Sequence, residues 1–463
     1  MVKPLLKKAG TDESSPANFR PVSNLTFVSK VLERIANHQL TEYLSEARLL
    51  PRFQSAYRRG HSTETALLKV FSDVVNAIDS GQLALLSLLD MSAAFDTVDH
   101  DILIQRLSAS FGIKDRALSW LESYIKGRTQ SVHLAGEETP PRLVTYGVPQ
   151  GSVLGPLLFV LYTADVERII NAHGLLHHCY ADDTQLYFFC EPSQTAVLKQ
   201  RVLLCIQSIS QWMASNRLKL NPSKSEFLWC TTLRRRNLLD GSTFTLGDAE
   251  VQPSDAIRNL GVHFDSCMTM SAHVSYLVRG CFYQLRRIKS IRRFIPTSTA
   301  VILVNSFIVS RVDYCNSLLA GLPACQLERI QSVLNSAARL IYGRTPSDHV
   351  TDLLRDNLHW LRVPQRIRYK LCLIAYKALN NLMPDYISDL CIRVANNRLR
   401  SSAKNLLLVP RSSTKFGECS FSVSGPTAWN SLPNHVRSAP SLETFKAQLK
   451  TYLFKESYDC NRY

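Results

Sequence analysis

Three aspartates stand where apolar strand-like runs come to an end. Asp90 closes the run Leu83-Ala-Leu-Leu-Ser-Leu-Leu89, and Asp182 and Asp183 follow Tyr180-Ala181 inside the aromatic-rich stretch 177–189. An unpaired carboxylate beside buried apolar surface is strongly disfavoured, so these side chains call for cations. Hard divalent ions such as Mg²⁺ prefer oxygen ligands and usually keep substrate phosphates in their shell. Such a cluster fits a two-metal site for in-line phosphoryl transfer, one ion activating the attacking hydroxyl and the other neutralising the leaving group. Adjacent aspartates in a hairpin turn are also ordinary turn chemistry, and the pattern alone leaves both readings open.

Positioning the three requires a particular set of elements. The run Leu83–Leu89 fits a strand buried on both faces. Residues 177–189 read as two strands with Ala181-Asp182-Asp183 near their turn, so the strand ending in Asp90 and the acidic hairpin tip can lie side by side. Apolar spacing predicts helices over 28–44, 63–78, 102–125 and 154–170, the last with Pro156 in its first turn. Further strands are predicted within 221–229 and 258–264. Beyond Asp265 the pattern turns helical over 270–293, 326–342 with Gly343 as stop, 369–382 and 442–453. Together these elements indicate an α+β fold.

The surroundings of the aspartates add specificity. Tyr180-Ala181-Asp182-Asp183 resembles the Y-x-D-D box of reverse transcriptases, and Leu89-Asp90-Met91-Ser92-Ala93-Ala94-Phe95-Asp96 resembles their first-aspartate motif. Gly147-Val148-Pro149-Gln150-Gly151-Ser152 is similar to the P-Q-G loop. Upstream, Asn18-Phe19-Arg20-Pro21-Val22-Ser23 and Gln54-Ser-Ala-Tyr57-Arg58-Arg59-Gly60-His61-Ser62-Thr63 resemble fingers motifs of LINE-type, non-LTR retrotransposon enzymes. Downstream, Leu220-Asn221-Pro222-Ser223-Lys224-Ser225 and Leu260-Gly261-Val262 resemble later palm and primer-grip elements.

The resemblance implies a right-hand polymerase: fingers over 1–80, a ferredoxin-like palm over 81–265, a basic helical thumb over 266–345 and a C-terminal region over 346–463. It implies RNA-directed DNA synthesis that extends a DNA 3′ end on an RNA template with dNTPs and two Mg²⁺ ions, Mn²⁺ being a substitute. Asp90 and Asp182 would ligate both metals, with Asp183 as a less direct third carboxylate. Phe95 would place a ring under the sugar and clash with a 2′-hydroxyl, or else be a core residue. Gln150 and Gly151 would let backbone approach the nucleotide and template, or simply form a tight turn. Arg58, with Arg59 as substitute, would fork onto the triphosphate, or be a surface charge. Lys224 would donate a proton to pyrophosphate, although Ser223-Lys-Ser-Glu226 also reads as a helix capping box.

Composition bounds the rest. The chain has 463 residues, 45% of them hydrophobic, which excludes a disordered protein. Its 12 cysteines form no C-x-x-C pair and are expected to be free core thiols rather than zinc ligands. The longest charge-free stretch, 143–164, contains Pro149, Pro156 and three glycines, so no membrane span is expected. Of the net charge of +16, residues 1–265 contribute nothing, because 27 basic side chains balance 27 acidic ones. The stretch 266–312 holds no acidic residue, and Arg286, Arg287, Arg292 and Arg293 are its candidate contacts to a phosphate backbone. Trp360, Trp429 and residues 420–433 either stack on bases or form the core of a small terminal domain.

Full-length LINE-type proteins usually carry an endonuclease ahead of the polymerase. Met1 stands so close to Asn18 that the expectation is a chain truncated before the fingers and lacking that domain. A catalytically inactive nucleic-acid-binding remnant is therefore the alternative function, while RNA-dependent RNA synthesis is disfavoured by Phe95. The implied location is cytoplasm and nucleus, as a ribonucleoprotein; the oligomeric state is left open.

Overall fold

The computed structural model describes residues 1–7, 10–92, 94–134, 136–239, 241–394 and 405–459; Ala93 of the first-aspartate motif and the last cysteine, Cys460, lie outside them. The chain opens with β1 (Val2–Leu6) paired to β2 (Phe19–Ser23), then helices α1 (Phe27–Glu46) and α2 (Thr63–Asp79). From β3 (Leu83–Leu89) it runs through α3 (His100–Ala109) and α4 (Asp115–Ile125) into two short ladders. These pair β4 (Thr129–Gln130) with β7 (Arg142–Leu143), and β5 (His133–Leu134) with β6 (Glu137–Glu138). Helices α5 (Gly155–Thr163) and α6 (Val166–Ala172) lead to the hairpin β8 (Leu176–Tyr180) and β9 (Asp183–Cys190), and α7 (Thr195–Ser215) to β10 (Glu226–Cys230).

The strands β10, β3, β9 and β8 form one antiparallel sheet in that order, with helices in the crossovers from β3 to β8 and from β9 to β10. This is the split arrangement of a ferredoxin-like sheet. Strand β3 is central and buried on both faces, as its unbroken apolar run predicts. Leu83, Leu85 and Leu89 join a core with Leu186, Phe227 and Trp229 under α5 and α7, whereas Ala84 and Leu86 join the opposite core with Tyr187 and Leu228 against α2.

Two hairpins follow, β11 (Phe244–Leu246) with β12 (Ala249–Val251) and β13 (Ala256–Asn259) with β14 (Val262–Asp265). The strand predicted over 258–264 is thus a hairpin, turned at Leu260 and Gly261, which both have positive φ. The helix predicted over 102–125 breaks at Gly112, whose φ of 66° ends α3. The one predicted over 154–170 breaks at Ala164-Asp165.

The remainder is helical: α8 (Ser271–Ile291), α9 (Thr297–Val304), α10 (Ser310–Asp313), α11 (Ala324–Tyr342), α12 (Val363–Leu379), α13 (Asp385–Ser388), α14 (Phe421–Asn430), α15 (Asn434–Arg437) and α16 (Leu442–Asp459). Trp360 and Trp429 are buried and do not stack outward. They do not form a separate small core either, because the apolar cluster behind the sheet continues through α11 and α12 to both of them. Helix α2 is the hinge of this continuity. It is buried almost all round, Ser72 Oγ accepts the Phe421 N–H at 3.0 Å, and Asp79 accepts from Ser413 N and Thr414 Oγ1 at 2.7 and 2.6 Å.

Helix α1 departs from its pattern. The apolar side chains Phe27, Val28, Leu32 and Ile35 are more than half exposed, whereas Glu33 is buried. The reason lies in the Glu33 carboxylate, which accepts the N–H groups of Val153 at 2.6 Å and Leu154 at 3.2 Å and so caps the start of α5. All eleven described cysteines are free, with Cys325 exposed. No described helix is long and apolar enough to cross a membrane.

Candidate active site

The β3–β9 register pairs Leu89 with Thr184, so Asp90 and Asp183 leave the sheet at the same end. Asp182 lies in the two-residue turn between β8 and β9, whose last pair is Tyr180 with Asp183. Beyond β3 the chain is laced to 219–221: Asn221 N donates to Asp90 O at 2.9 Å and Ser92 N to Lys219 O at 2.9 Å. Lys224 then places its Nζ 3.1 Å from Asp90 Oδ2. Ser223 to Glu226 does not cap a helix; residues Pro222–Lys224 form a single 3₁₀ turn and β10 begins at Glu226.

The three carboxylates feel one another. Burial first, and the charge of Asp90 after it, hold the Asp182 carboxyl above its ordinary range. Asp183 keeps solvent contact, yet burial against the hairpin and then the charges of Asp182 and Asp90 push it up to about 6, with Lys224 pulling the other way. Among the described residues, no three His, Cys, Asp or Glu side chains already converge on one metal position. The donor set nonetheless suits a hard divalent ion: oxygen ligands only, in a mutual repulsion that a cation relieves.

Beside the carboxylates opens a pocket of about 510 Å³, lined by Asp182, Phe95, Gln150 and Gly151, with Arg20, Tyr57 and Lys7 on its rim. The Phe95 ring stacks on Phe159, centroids 4.5 Å apart, so it packs on the core and walls the pocket at once. Gln150 Nε2 donates to both carboxylate oxygens of Asp96 at 3.0 Å. The loop runs so close to its neighbours that two positions require glycine. Gly147, at φ 87°, would bring a Cβ to 2.9 Å from Asp96 O, and Gly151, at φ 99°, to 3.2 Å from Ser23 O.

Not every expected residue reaches this pocket. Arg58 turns inward, donating to the carbonyls of Pro51 at 2.5 Å and Gln54 at 3.0 Å, so it holds its own loop and does not face the pocket. Arg59 is exposed and does not line the pocket either. Arg20, Tyr57 and Glu33 carry parts of the site that residue-type reasoning missed. The first two stand inside the quoted fingers motifs; Glu33 gave no signal, since a helix carboxylate usually faces water.

The description "reverse transcriptase (RNA-dependent DNA polymerase)" belongs to the family whose profile matches residues 6–264, more than half of the chain. The chain belongs to the reverse transcriptase family. The likeness to non-LTR retrotransposon enzymes drawn from its motifs is borne out by its relatives. A probable RNA-directed DNA polymerase from transposon BS of Drosophila melanogaster is 30% identical over 77% of this chain and 40% of that protein. The one from transposon X-element of the same fly is 28% identical over 76% and 38%. This reverse transcriptase chain therefore spans about two fifths of the length of these curated relatives. Among solved structures, apo telomerase from Candida tropicalis is 14% identical over 70% of this chain and 56% of that one, with a TM-score of 0.41.

In the reverse transcriptase the four arginines expected to contact a phosphate backbone divide. Arg286, Arg287 and Arg293 are exposed, Arg287 and Arg293 lying over the rings of Tyr283 and Phe294 at 5.9 and 4.5 Å. Arg292 instead bonds the carbonyls of Leu340 at 3.2 Å, Ile341 at 2.7 Å and Ile295 at 2.9 Å, closing the end of α11. Its guanidinium is spent on the protein, which removes it from the expected phosphate-binding set.

Proposed function

We propose that the chain extends a DNA 3′ end on an RNA template by nucleotidyl transfer from dNTPs, as part of a non-LTR retrotransposon protein. The observation that carries this reading is the single sheet end bearing Asp90, Asp182 and Asp183, open to a pocket walled by Phe95 and the Gln150-Gly151 loop. Asp90 and Asp182 would hold Mg²⁺, with Asp183 beside them; two such ions supply activation of the 3′-hydroxyl and neutralisation of the triphosphate. The chain's own residues do the rest. Phe95 closes the space a 2′-hydroxyl would need, Arg20 and Lys7 offer positive charge to the phosphates, and Gly151 lets the backbone approach the base pair. Lys224, 3.1 Å from Asp90, is placed to hand a proton to departing pyrophosphate.

In the same proposal, residues 1–80 act as fingers, 81–265 as palm, 266–345 as thumb, and 346–463 as a C-terminal region packed behind them. The test is primer extension by purified protein on an RNA template with dNTPs and Mg²⁺, beside Asp182→Ala and Asp90→Ala. Extension abolished in both variants, with RNA binding kept within a few-fold, is expected because ion ligation and backbone binding reside on different elements. Extension retained by Asp182→Ala sinks the assignment.

A further inference from the structure

The turn that carries Asp182 contains a strained residue. Ala181 sits at φ 56°, a left-handed conformation that a Cβ disfavours and that glycine usually supplies. One side chain spans it. Gln54 Oε1 accepts the Ala181 N–H at 3.0 Å, and Gln54 Nε2 donates to Ala181 O at 3.2 Å. The same Oε1 also accepts the Ala56 N–H at 3.0 Å, and the side chain is buried.

Gln54 is itself held from several sides. Ser55 N donates to Cys179 O at 2.9 Å and Cys179 N to Phe53 O at 2.8 Å, so 53–55 runs as a parallel extension of the sheet beside β8. Arg58 bonds Gln54 O. Ser55 Oγ lies 2.8 Å from His178 Nε2 and 2.7 Å from Tyr386 OH, which ties the loop to α13. An amide supplies a donor and an acceptor side by side in a fixed plane, which meets both peptide groups of one residue, and the reach from a neighbouring strand suits Gln.

We propose that Gln54 is a positioning residue for the active site: by holding Ala181 left-handed, it aims the Asp182 carboxylate at the divalent-ion position. The inference rests on the reading of Asp182 as a metal ligand. A purely structural role would lower the fraction of folded protein and leave the ion affinity of the folded molecules alone. A positioning role moves the affinity itself, by about tenfold or more, as removal of a partner that orients a metal ligand generally does.

The experiment titrates Mn²⁺ into the full chain and follows the free-ion signal by electron paramagnetic resonance, with wild type, Gln54→Met and Gln54→Glu compared. Met removes all three hydrogen bonds at similar length; Glu keeps the two accepting ones and puts a repelling oxygen at Ala181 O. Weakening of about tenfold per folded molecule in Gln54→Met, beside a melting temperature lowered by the peptide groups it strands, is the expected result. If Gln54→Met does not fold, the folded Gln54→Glu must still show weakened binding. Wild-type affinity in a folded variant overturns the proposal, and a wild type that binds no Mn²⁺ removes the metal site and the proposal together. Primer extension is measured alongside. A wild type that binds Mn²⁺ but extends no primer refutes the polymerase reading, while a Gln54 effect on binding still supports the clamp.

Discussion

The Lys224 ammonium lies 3.1 Å from Asp90 Oδ2, the oxygen that Asn221 Nδ2 also approaches at 3.4 Å. A cation of the protein thus occupies the flank of a carboxylate that is proposed to ligand another. In that proposal lysine and metal would compete for Asp90, while the proposed proton donation needs the same ammonium. Replacing it should move binding and turnover in opposite directions. Lys224→Met is expected to bind Mn²⁺ at least as tightly as wild type and to slow primer extension by about a hundredfold, the low end for a missing general acid. Equal rates in single-turnover extension would show that the lysine only holds Asp90 in place.

Phe95 has two duties, one toward Phe159 and one toward the pocket. Phe95→Val should cost stability, by about 1–3 kcal/mol for the missing ring, and admit ribonucleotides. The ratio of dNTP to rNTP efficiency separates the two effects, because the melting temperature reports only the first. An unchanged ratio in the folded variant makes Phe95 a core residue and no gate.

The division among these four arginines is testable in the same protein. The triple change of Arg286, Arg287 and Arg293 to Gln should flatten the slope of log affinity against log salt for an RNA–DNA hybrid, by about 0.7–0.9 for each phosphate that is no longer neutralised. Arg292→Gln should leave that slope alone and lower the melting temperature, since it strands the carbonyls of Leu340 and Ile341. The reverse pattern would mean that Arg292, not its exposed neighbours, faces the nucleic acid.

Buried histidines set the acid limit of the fold. Burial brings His177 down to about 4, His178 to about 3 and His273 to about 4. An unfolded chain titrates its histidines near about 6.5, so between that value and the folded ones it binds more protons than the native state. The histidine share of the stability therefore falls as pH drops from about 6.5 toward 4, opposed in part by the raised Asp183 carboxyl. Thermal melts at pH 7, 6 and 5 should show the decline, and His178→Gln, which can still bond Ser55, should show a shallower one. An identical slope in that variant would place the titrating groups elsewhere.

The aspartate-bearing end of the sheet was legible because its signals are local. An apolar run ending in Asp90 and an aromatic-rich hairpin tipped by Asp182-Asp183 each announce strand and turn within a dozen residues. What was not legible depends on partners remote in the chain. Glu33 serves backbone 120 residues away, and Arg58 and Arg292 serve carbonyls, yet in sequence each looks like any solvated charge. Glu33 also explains the exposed stripe of α1: the carboxylate turns inward to α5, and the apolar side chains beside it turn to water. Gln54 and Ala181 each looked unremarkable alone, and only their hydrogen bonds give them meaning.

Helix α2 receives its cover late. Ser72 meets Phe421 across 349 residues of chain, and Asp79 meets Thr414 across 335. During synthesis at the ribosome, the sheet strands and their first helices emerge long before α14 exists to seal them. Pairings of such separation close slowly, and until they do the apolar side chains of α2, Val70 and Val74 among them, remain open to other chains. Residues 1–265 thus complete their packing only after translation has passed residue 421, and a message cut short between 266 and 345 would leave this apolar face of α2 uncovered.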